Sequence, residues 1–470
     1  MLKLPFVLGL CVLSASSLAE VRSYDAEKAD QFLKATTDDI IPDSESARKV
    51  WLKNKAFEAA IFGRVAVLTY KQIYDQAVDP ASSDYVGFNR FSHGRDLAGP
   101  GYKPFKTPNA DTLYSNAYLD LSAGPVLLTV PPTRGRYYTV NFLDLYANAT
   151  NISARTHGTD GGKYLLATTD WVGEVPEGVT LFRVTQPYMW ILMRIALGSL
   201  DELPAARALQ DGFIITGEGP KRPRGFYPMP ATNEDPASFL RVLAWVVKNA
   251  GVQRTELGHV AGFSALGIGG KRSIDDVIQD EVAMKAISEG ISEADMLIGK
   301  SIGPHGTSTG SGWRYVADLG GYGHNYLSRA VVNTLGTGAN VRRENFAFTS
   351  FVDGAGEPLD GSKHAYALRF ETPPPSDFFW SVTVYERQTQ ELAPNPASKY
   401  LVSGNTPGLR IDKDGSVTIH LTTDPGGPND LPIPAGPFYV ALRAQGPHPE
   451  MLSGEWKPSP IQKAGKKQHP

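Results

Sequence analysis

Residues 109–155 read NADTLYSNAYLDLSAGPVLLTVPPTRGRYYTVNFLDLYANATNISAR and combine short apolar runs with turn residues. The apolar run at 126–130 ends in two prolines, and residues 137–145 alternate apolar or aromatic with polar side chains. A two-residue period is typical of a half-buried strand. Between these strands, proline fixes φ and Gly135 can adopt positive φ, which favours a hairpin-like connection. The stretch therefore predicts an antiparallel β-domain.

A second part of the chain repeats this pattern. Residues 128–140 and 370–382 both contain a strand, a proline-rich turn, an aromatic pair or triplet, a hydroxyl residue and valine. Two later blocks continue the parallel: 163–166 with 399–402, and 189–194 (MWILMR) with 438–443 (FYVALR). We interpret the pattern as one β-domain present twice, with Tyr137 equivalent to Phe379. Chance similarity between strands is the alternative.

Helical periodicity surrounds the two predicted β-domains. Residues 44–78 lack proline and place apolar residues at spacings of three and four, which predicts a long N-terminal helix. Further helices are predicted at 201–211, 235–250, 273–290, 292–301 and 322–335. The predicted fold class is α+β and β-rich, with two jelly-roll or sandwich-like antiparallel β-domains, a helical N-terminal segment and a helical insert. The predicted organisation is a signal peptide at 1–19, the helical segment at 20–82, the first β-domain at 83–200, the insert at 201–339 and the second β-domain with a tail at 340–470.

Several motifs resemble a known pair of families. The motifs of the first part resemble domain of unknown function 1254: NADTLY at 109–114, DLS at 120–122, GP at 124–125 and GRYY at 135–138. Those of the second part resemble its usual partner, domain of unknown function 1214: DGAGEPLDG at 353–361, FWSVTVY at 379–385, LPIP at 431–434 and GEW at 454–456. The resemblance implies a two-domain, β-rich chain that is usually exported, and it implies no particular activity.

The first residues have the layout of a cleaved signal peptide. Lys3 precedes an apolar run at 4–13, and small residues end at Ala19. This run is shorter than the ~20 residues that a membrane-spanning helix needs, which disfavours an anchor. Cleavage after Ala19 predicts a secreted or periplasmic protein. It would also remove Cys11, the only cysteine, so the mature chain would have no disulfide or thiol chemistry.

Composition and motifs exclude several classes of function. The formal net charge is −3, and loss of Lys3 would make it −4, so neither nucleic acid nor an anionic membrane is an expected partner. The motifs of zinc proteases, α/β-hydrolases, dinucleotide-binding proteins and Walker-type nucleotide enzymes are missing. The histidines are scattered without the spacing of metal ligands. We therefore expect no cofactor and no metal, with a metal site built from distant residues as the unsupported alternative.

Polar residues within the apolar strands are the candidate site. A carboxylate near a tyrosine and an arginine can act in acid-base chemistry or hold an oxyanion, so Asp111, Tyr114 and Arg136 are the candidate catalytic residues. The candidate substrate-binding residues are Asn109, Tyr138, Arg155, His157 and His305. A structural role is the alternative, because Asp and Asn often cap turns and an internal arginine often forms a buried pair.

The segment 303–312, GPHGTSTGSG, is a further candidate because it contains His305 between two predicted helices. A glycine- and threonine-rich loop of this length can be a lid or a binding loop, and a flexible linker is the alternative. Its role depends on the structure around it.

Two classes of function stay open. One is an exported, metal-independent hydrolase or lyase acting on a small organic substrate. The other is a non-catalytic ligand-binding or assembly protein that uses jelly-roll-like domains. Both imply a small-molecule ligand or substrate as partner and no integral membrane segment in the mature chain. A homo-oligomer is an open alternative to a monomer.

Overall fold

The computed structural model describes residues 41–217, 228–232, 235–303 and 305–465. The predicted signal peptide at 1–19 lies outside the described residues. The α-helices of the described residues are α1 (Glu45–Ile73), α2 (Ala154–His157), α3 (Leu203–Asp211), α4 (Pro236–Asn249), α5 (Leu257–Ala261), α6 (Ile274–Gln279), α7 (Glu281–Ser301), α8 (Tyr326–Leu335) and α9 (Pro449–Ser453). The shorter helical turns are a π-helix at Tyr74–Val78 and 3-10 helices at Leu200–Glu202, Arg254–Glu256 and Ser264–Leu266.

The long N-terminal helix predicted at 44–78 is confirmed, because α1 runs directly into the π-helical turn that ends at Val78. The helix break predicted after Gly290 is wrong. Helix α7 continues through this glycine. Glycine is needed here because α7 packs closely on α1: a Cβ at position 290 would lie 2.2 Å from the Lys53 carbonyl oxygen. The chain breaks instead at Asp280, whose carboxylate accepts a hydrogen bond from the Ala283 N–H at 2.9 Å and caps α7.

The first β-domain contains a five-stranded and a four-stranded sheet. Its strands are β1 (Ser92–His93), β2 (Thr112–Asp120), β3 (Val126–Val130), β4 (Tyr138–Leu143), β5 (Ala149–Ser153), β6 (Gly162–Thr168), β7 (Thr180–Val184), β8 (Tyr188–Ala196) and β9 (Ile214–Thr216). The strand orders are β1-β2-β8-β4-β5 and β7-β6-β3-β9. Strand β9 thus belongs to this domain, although the sequence places its residues within the helical insert.

The hairpin-like connection predicted around Gly135 is wrong. Strand β3 pairs with β6 and β9, whereas β4 pairs with β5 and β8. The proline turn therefore carries the chain from one sheet to the other instead of joining two neighbouring strands. Local turn chemistry permits both connections, and the pairing partners supplied by distant strands select one of them.

The second β-domain also has two sheets. Its strands, with an edge hairpin before them, are β10 (Thr307–Ser308), β11 (Trp313–Tyr315), β12 (Asn345–Ser350), β13 (Ala365–Phe370), β14 (Ser376–Glu386), β15 (Leu401–Ser403), β16 (Val417–Thr422), β17 (Asp430–Pro432), β18 (Phe438–Pro447) and β19 (Gln462–Ala464). The strand orders are β10-β11-β12-β18-β14-β15 and β17-β16-β13-β19. Most pairs are antiparallel, so the α+β class with sandwich-like β-domains is confirmed.

The two domains share one topology, which confirms the predicted duplication. The order β2-β8-β4-β5 corresponds to β12-β18-β14-β15, and β9-β3-β6-β7 corresponds to β19-β13-β16-β17. Even the parallel pair β6–β7 has its counterpart in β16–β17. The register agrees as well, because Thr139 lies opposite Arg194 and Ser381 lies opposite Arg443. Strand order and register together are not expected from chance similarity.

One aligned block is wrong. Residues 163–166 lie in β6, which pairs with β3 in the four-stranded sheet, whereas residues 401–402 lie in β15, which pairs with β14 in the larger sheet. The true counterpart of β6 is β16. Short apolar strands resemble one another in sequence whichever sheet they join, so this block carried no positional information.

Successive side chains on the central strands β8 and β18 point to opposite faces, one inside the sandwich core and one outside it. In β8, Met189, Ile191, Met193 and Ile195 pack into the core between the two sheets of the first domain. In β18, Phe438, Val440, Leu442 and Ala444 do the same in the second domain. The opposite face of β8 packs through Tyr188, Trp190 and Leu192 on a core that includes α1, α4 and α7. Each central strand therefore presents its alternate residues outside its own sandwich.

Candidate functional site

The candidate site is a cavity of about 170 Å³ between the first domain, the second domain and the helical region. Its lining residues are Phe105, Lys106, Thr107, Asn109, Tyr114, Arg194, Ile302, Gly303, His305, Arg314, Tyr315, Val316, Leu319, Val331, Val332, Leu335, Gly336, Thr337, Gly338, Ala339, Asn340, Asn345, Ala347, Thr349, Phe351 and Arg443. One wall is apolar and comes largely from α8. The other contains the polar ends of the central strands.

Arg194 and Arg443 occupy equivalent positions in the two copies, at the ends of MWILMR and FYVALR. Both side chains are buried, at 7% and 8% exposure, and both line the cavity. They reach it because each lies on the face of its central strand that points away from its own sandwich core. The duplication thus supplies one arginine from each domain to a single cavity.

Arg194 is held by the first domain and by the segment after α8. Its Nη2 donates a hydrogen bond to the Gly338 carbonyl at 2.6 Å, and its guanidinium lies 5.4 Å from the ring centre of Tyr114. The Tyr114 hydroxyl accepts a hydrogen bond from the Asn109 N–H at 2.8 Å. Nη1 of Arg194 is buried and has no hydrogen-bond partner among the described residues. A buried donor without a partner is rare in native structures, so this atom calls for a partner that the described residues do not supply.

Arg443 is held by neutral oxygen atoms. Its Nη1 donates to the Tyr385 hydroxyl at 2.8 Å, and its Nη2 donates to the Thr107 carbonyl at 3.1 Å. The Tyr385 hydroxyl in turn donates to the Pro108 carbonyl at 2.7 Å. Burial raises the pKa of Tyr385 to about 12, with Arg443 acting in the opposite direction. Tyr385 therefore stays a neutral hydroxyl and does not itself compensate the charge of Arg443.

The glycine-rich segment 303–312 contributes a histidine to the lining, and Arg314, on the strand that follows it, contributes a third arginine. Strands β10 and β11 pair at the edge of the larger sheet of the second domain, so the described part of this segment is structured as a hairpin. Arg314 donates through Nε to the His305 carbonyl at 3.0 Å and through Nη2 to the Gly306 carbonyl at 2.6 Å. Nε2 of His305 lies 3.0 Å from the Ser328 hydroxyl on α8. Burial, and then Arg314, lowers the pKa of His305. The imidazole is therefore mainly neutral near neutral pH.

Asp111 lies close behind these groups and does not itself line the cavity. Its side chain is buried, and neither carboxylate oxygen has a hydrogen-bond partner among the described residues. Burial raises the pKa of Asp111. The neighbouring Ser381 hydroxyl, whose geometry falls short of a hydrogen bond, and the guanidinium groups of Arg443 and Arg194 act in the opposite direction. A buried carboxylate near two arginines makes the charge of this region sensitive to one proton.

The lining of the cavity carries positive charge, with Asp111 behind it. Among the described residues that line the cavity, the cationic ones are Lys106, Arg194, Arg314 and Arg443, and none is Asp or Glu. Lys106 is paired with Glu391 at 2.7 Å on the exposed side. The hydrogen bonds that hold the three arginines run to carbonyl or hydroxyl oxygens. The cavity therefore has the electrostatics of an anion site with an apolar wall.

Four of the eight residues selected from the sequence lie at or beside this cavity. Asn109, Tyr114 and His305 line it, and Asp111 lies behind the arginines. Thus the structure brings together one end of the 109–155 stretch and the glycine-rich segment. The other four residues are elsewhere.

Arg136 lies at a separate open groove of about 1100 Å³ between the two proline turns. Its Nη1 donates to the Ala196 carbonyl at 2.8 Å and pairs with Glu202, and both side chains of the pair are partly exposed. This contact ties the turn before β4 to the chain that follows β8. Arg136 has no contact with the cavity lined by Arg194 and Arg443.

The side chains of the remaining three candidates make structural contacts outside the cavity. Tyr138 is buried in the first sandwich core, with its ring centre 5.6 Å from that of Phe213. Arg155 donates through Nε to Glu344 at 2.8 Å and links the two domains. His157 lies on α2, with Nδ1 2.7 Å from the Thr156 hydroxyl. None of these three side chains lines the cavity described above.

Sequence reasoning did not select Arg194, Arg314 or Arg443. A usable indication was present for two of them, since MWILMR and FYVALR each end an apolar strand with arginine at the same place in the repeat. A charged side chain in a buried strand needs a partner or a function. Arg314 lies two residues after the end of the glycine-rich segment and has no comparable pattern.

The described residues contain no group of three or more His, Cys, Asp or Glu side chains arranged to hold a metal ion. Within the described part of the chain, no helix has the length and apolar character to cross a membrane. Both findings concern only those residues.

Comparisons with known proteins match two separate parts of the chain to family models. Residues 88–217 match the family described as "Protein of unknown function (DUF1254)", and residues 344–449 match "Protein of unknown function (DUF1214)". The crystal structure of the VPA0106 protein from Vibrio parahaemolyticus is similar over 88% of this chain and 100% of that chain, with 26% identity and a TM-score of 0.68. An uncharacterized protein from Burkholderia cenocepacia aligns over 93% of each chain, with 13% identity and a TM-score of 0.43. No curated protein matches the chain. The chain therefore carries a segment that matches the DUF1254 model, followed by a segment that matches the DUF1214 model.

Proposed function

We propose that the protein binds a small organic acid in the cavity between its two β-domains. The observation that carries this proposal is the lining itself, whose described residues combine three arginines with an apolar wall and include no Asp or Glu. A carboxylate placed between Arg194 and Arg443 would receive charge-assisted hydrogen bonds from both domains. The unpartnered Nη1 of Arg194 is the donor that such a ligand would satisfy.

The size and shape of the cavity limit the ligand. A dry engineered cavity of about 150 Å³ accepts benzene, so a cavity of about 170 Å³ has room for a molecule of that size or somewhat larger. Val331, Val332 and Leu335 of α8 offer an apolar surface to the body of the ligand. The proposed ligand class is therefore a small aryl or alkyl carboxylate.

Calorimetric titration with benzoate and hexanoate tests the proposal, with benzamide and hexanamide as uncharged probes of similar shape. The carboxylates should bind and the amides should bind much more weakly. Arg194→Met and Arg443→Met should each weaken carboxylate binding by about tenfold to about a hundredfold, the worth of a charge-assisted hydrogen bond. The matched control is Arg136→Met, which changes an arginine of the separate groove.

Equal binding of carboxylates and amides would contradict the proposal. So would unchanged affinity in both arginine variants, provided that thermal melts show them folded. If Arg194→Met fails to fold, Arg194→Lys is the replacement variant, because it keeps the charge and removes the planar donor group. It should weaken carboxylate binding less than Arg443→Met, which removes a charge.

A metal-independent hydrolase or lyase using the same cavity is the second candidate. It is favoured by His305, which lines the cavity together with Arg314. Nε2 of its neutral imidazole lies 3.0 Å from the Ser328 hydroxyl. A neutral imidazole can accept a proton from a substrate or from water. Turnover of carboxylate esters or hydroxy acids that is lost in His305→Gln and retained with a chelator would support this candidate. Binding of a carboxylate without turnover of any such substrate favours the binding protein.

We also propose that the protein is exported, on the basis of Lys3, the apolar run at 4–13 and the small residues that end at Ala19. N-terminal sequencing of the protein recovered from its native host should begin at or near Glu20. Recovery of a chain that retains Met1 and the following run in the cytoplasm would contradict export.

A further inference from the structure

Asp111 is a buried carboxylate that the proposed binding mode leaves unused. The backbone around Asp111 lies against the elements that carry both arginines. Arg443 donates to the Thr107 carbonyl at 3.1 Å, Tyr385 donates to the Pro108 carbonyl at 2.7 Å, and the N–H of Leu197, three residues after Arg194, donates to the Asp111 carbonyl at 2.9 Å. The groups that act on the carboxylate of Asp111 are Arg194 on β8, Arg443 on β18, and Ser381 and Tyr385 on β14. Two of these groups are cationic and two are neutral hydroxyls. The carboxylate of Asp111 and any anion that enters the cavity therefore interact with the same two guanidinium groups.

We infer that Asp111 takes up a proton when an organic anion binds to Arg194 and Arg443, so that the cavity accepts an anion and a proton together. This inference rests on the proposed binding of organic acids. Asp111 acts through the two arginines and is a positioning residue, because it does not line the cavity and is not placed to contact the ligand.

The reason is a competition for the same positive charges. In the free protein, the arginines favour the ionised form of Asp111, and burial without a hydrogen-bond partner opposes ionisation. The two effects act against each other, so the protonation state of the carboxylate depends on its neighbours. A ligand carboxylate at the arginines adds a second negative charge in a buried region. Like charges in one site cannot both stay ionised at low cost, so the pKa of Asp111 rises further and the carboxylate takes up a proton.

His305 must be separated from Asp111 in any test, because it also lines the cavity. An anion near a neutral imidazole favours its protonated form and would cause proton uptake of the same sign. Arg314, which helps to lower the pKa of His305, weakens this effect. Two variants therefore distinguish the sources: Asp111→Asn removes one titratable group, and His305→Gln removes the other.

The experiment is calorimetric titration of the full mature chain with benzoate in buffers of different ionisation enthalpy, repeated across about pH 6 to about pH 8, where a carboxylic acid ligand is ionised. We expect uptake of up to about one proton per ligand, and affinity that falls by up to about tenfold per pH unit as pH rises. In Asp111→Asn, proton uptake should be lost and the affinity should vary little with pH. In His305→Gln, both should persist.

Asp144→Asn is the matched control, since Asp144 is also fully buried with a pKa raised by burial but is hydrogen-bonded within its own turn, away from the cavity. It should leave the proton uptake unchanged. If benzoate and hexanoate fail to bind the wild-type protein, the proposed function itself is wrong and the inference falls with it. Carboxylate binding without proton uptake overturns the inference alone. So does proton uptake that persists in Asp111→Asn and disappears in His305→Gln.

Discussion

At the scale of single residues, Arg136 and Arg194 show how the same side chain differs in role with its surroundings. Both lie in or beside strands of the first domain. Arg136 is partly exposed and paired with Glu202, whereas Arg194 is buried in the cavity wall and hydrogen-bonded to a carbonyl. An arginine already paired with a carboxylate has less electrostatic effect on a ligand than an arginine without one.

The first prediction concerns Arg136. Because its ion pair with Glu202 is partly exposed to solvent, Arg136→Met should lower the free energy of unfolding by only about 1 kcal/mol or less. Carboxylate affinity should stay the same. Denaturant unfolding and the benzoate titration measure the two quantities. A loss of carboxylate affinity comparable to that of Arg194→Met would show that Arg136 takes part in ligand binding.

The second prediction is the pH dependence of stability at Asp111. Its pKa in the folded protein is raised, so the folded state favours the protonated carboxyl more than the unfolded state does. This contribution is fully present below the unfolded pKa of about 3.9 and is lost as pH rises through the folded pKa. Asp111→Asn, which stays neutral, should therefore gain melting temperature relative to wild type as pH rises. A difference in melting temperature that is constant with pH would show that Asp111 does not titrate differently on folding.

At the scale of elements, the contact between α1 and α7 depends on a glycine. A Cβ at Gly290 would lie 2.2 Å from the Lys53 carbonyl oxygen and 3.0 Å from the Phe57 nitrogen. Both atoms belong to the backbone of α1, which cannot move as a flexible side chain can. The glycine is thus required by the close approach and not by its own backbone conformation, since it lies within a regular helix.

The third prediction follows from this contact. Gly290→Ala should lower the free energy of unfolding by about 1–3 kcal/mol, because the two helices must separate to admit the methyl group. Gly299→Ala is a matched control in the same helix, where a Cβ would have no neighbour within 4 Å. It should be neutral or stabilising by up to about 1 kcal/mol, owing to the higher helix propensity of alanine. Equal effects of the two changes in denaturant unfolding would contradict the packing argument.

At the scale of the whole molecule, the two β-domains are joined at Glu344, just before β12. Its carboxylate is fully buried and accepts hydrogen bonds from Asn151 at 2.8 Å, Ser153 at 2.9 Å and Arg155 at 2.8 Å, all from the first domain. Across the seam between the domains, the ring of Tyr137 packs on that of Phe379, with centres 5.7 Å apart. Equivalent residues of the two copies therefore meet at the interface.

The fourth prediction concerns this junction. Glu344→Ala should lower the free energy of unfolding by about 3–5 kcal/mol, because it leaves buried donors and a charge without their acceptor. Glu391→Ala is the control: Glu391 pairs with Lys106 through partly exposed side chains, so its loss should cost about 1 kcal/mol or less. Denaturant unfolding of both variants provides the comparison. Similar small effects would show that Glu344 contributes little to holding the domains together.

The sequence by itself was sufficient for the helical and β-rich regions and for the duplication. Helix and strand periods are local properties, so the helix at 44–78 and the strands of 109–155 could be read directly. The paired proline turns and the two runs that end in arginine revealed the repeat for the same reason. Asn109, Tyr114 and His305 were selected as polar residues in unusual local surroundings, and all three line the cavity.

Only the tertiary structure decided which sheet each strand joins and which polar residues meet. The turn at Gly135 connects two sheets instead of forming a hairpin, because strand partners come from distant parts of the chain. Arg194 and Arg443 are far apart in sequence and share one cavity because the duplicated sheets face each other across it. Arg136 lies in the turn before β4, where it pairs with Glu202 beside a separate groove. A local pattern specifies the face on which a side chain lies, whereas the opposing surface is supplied by long-range packing.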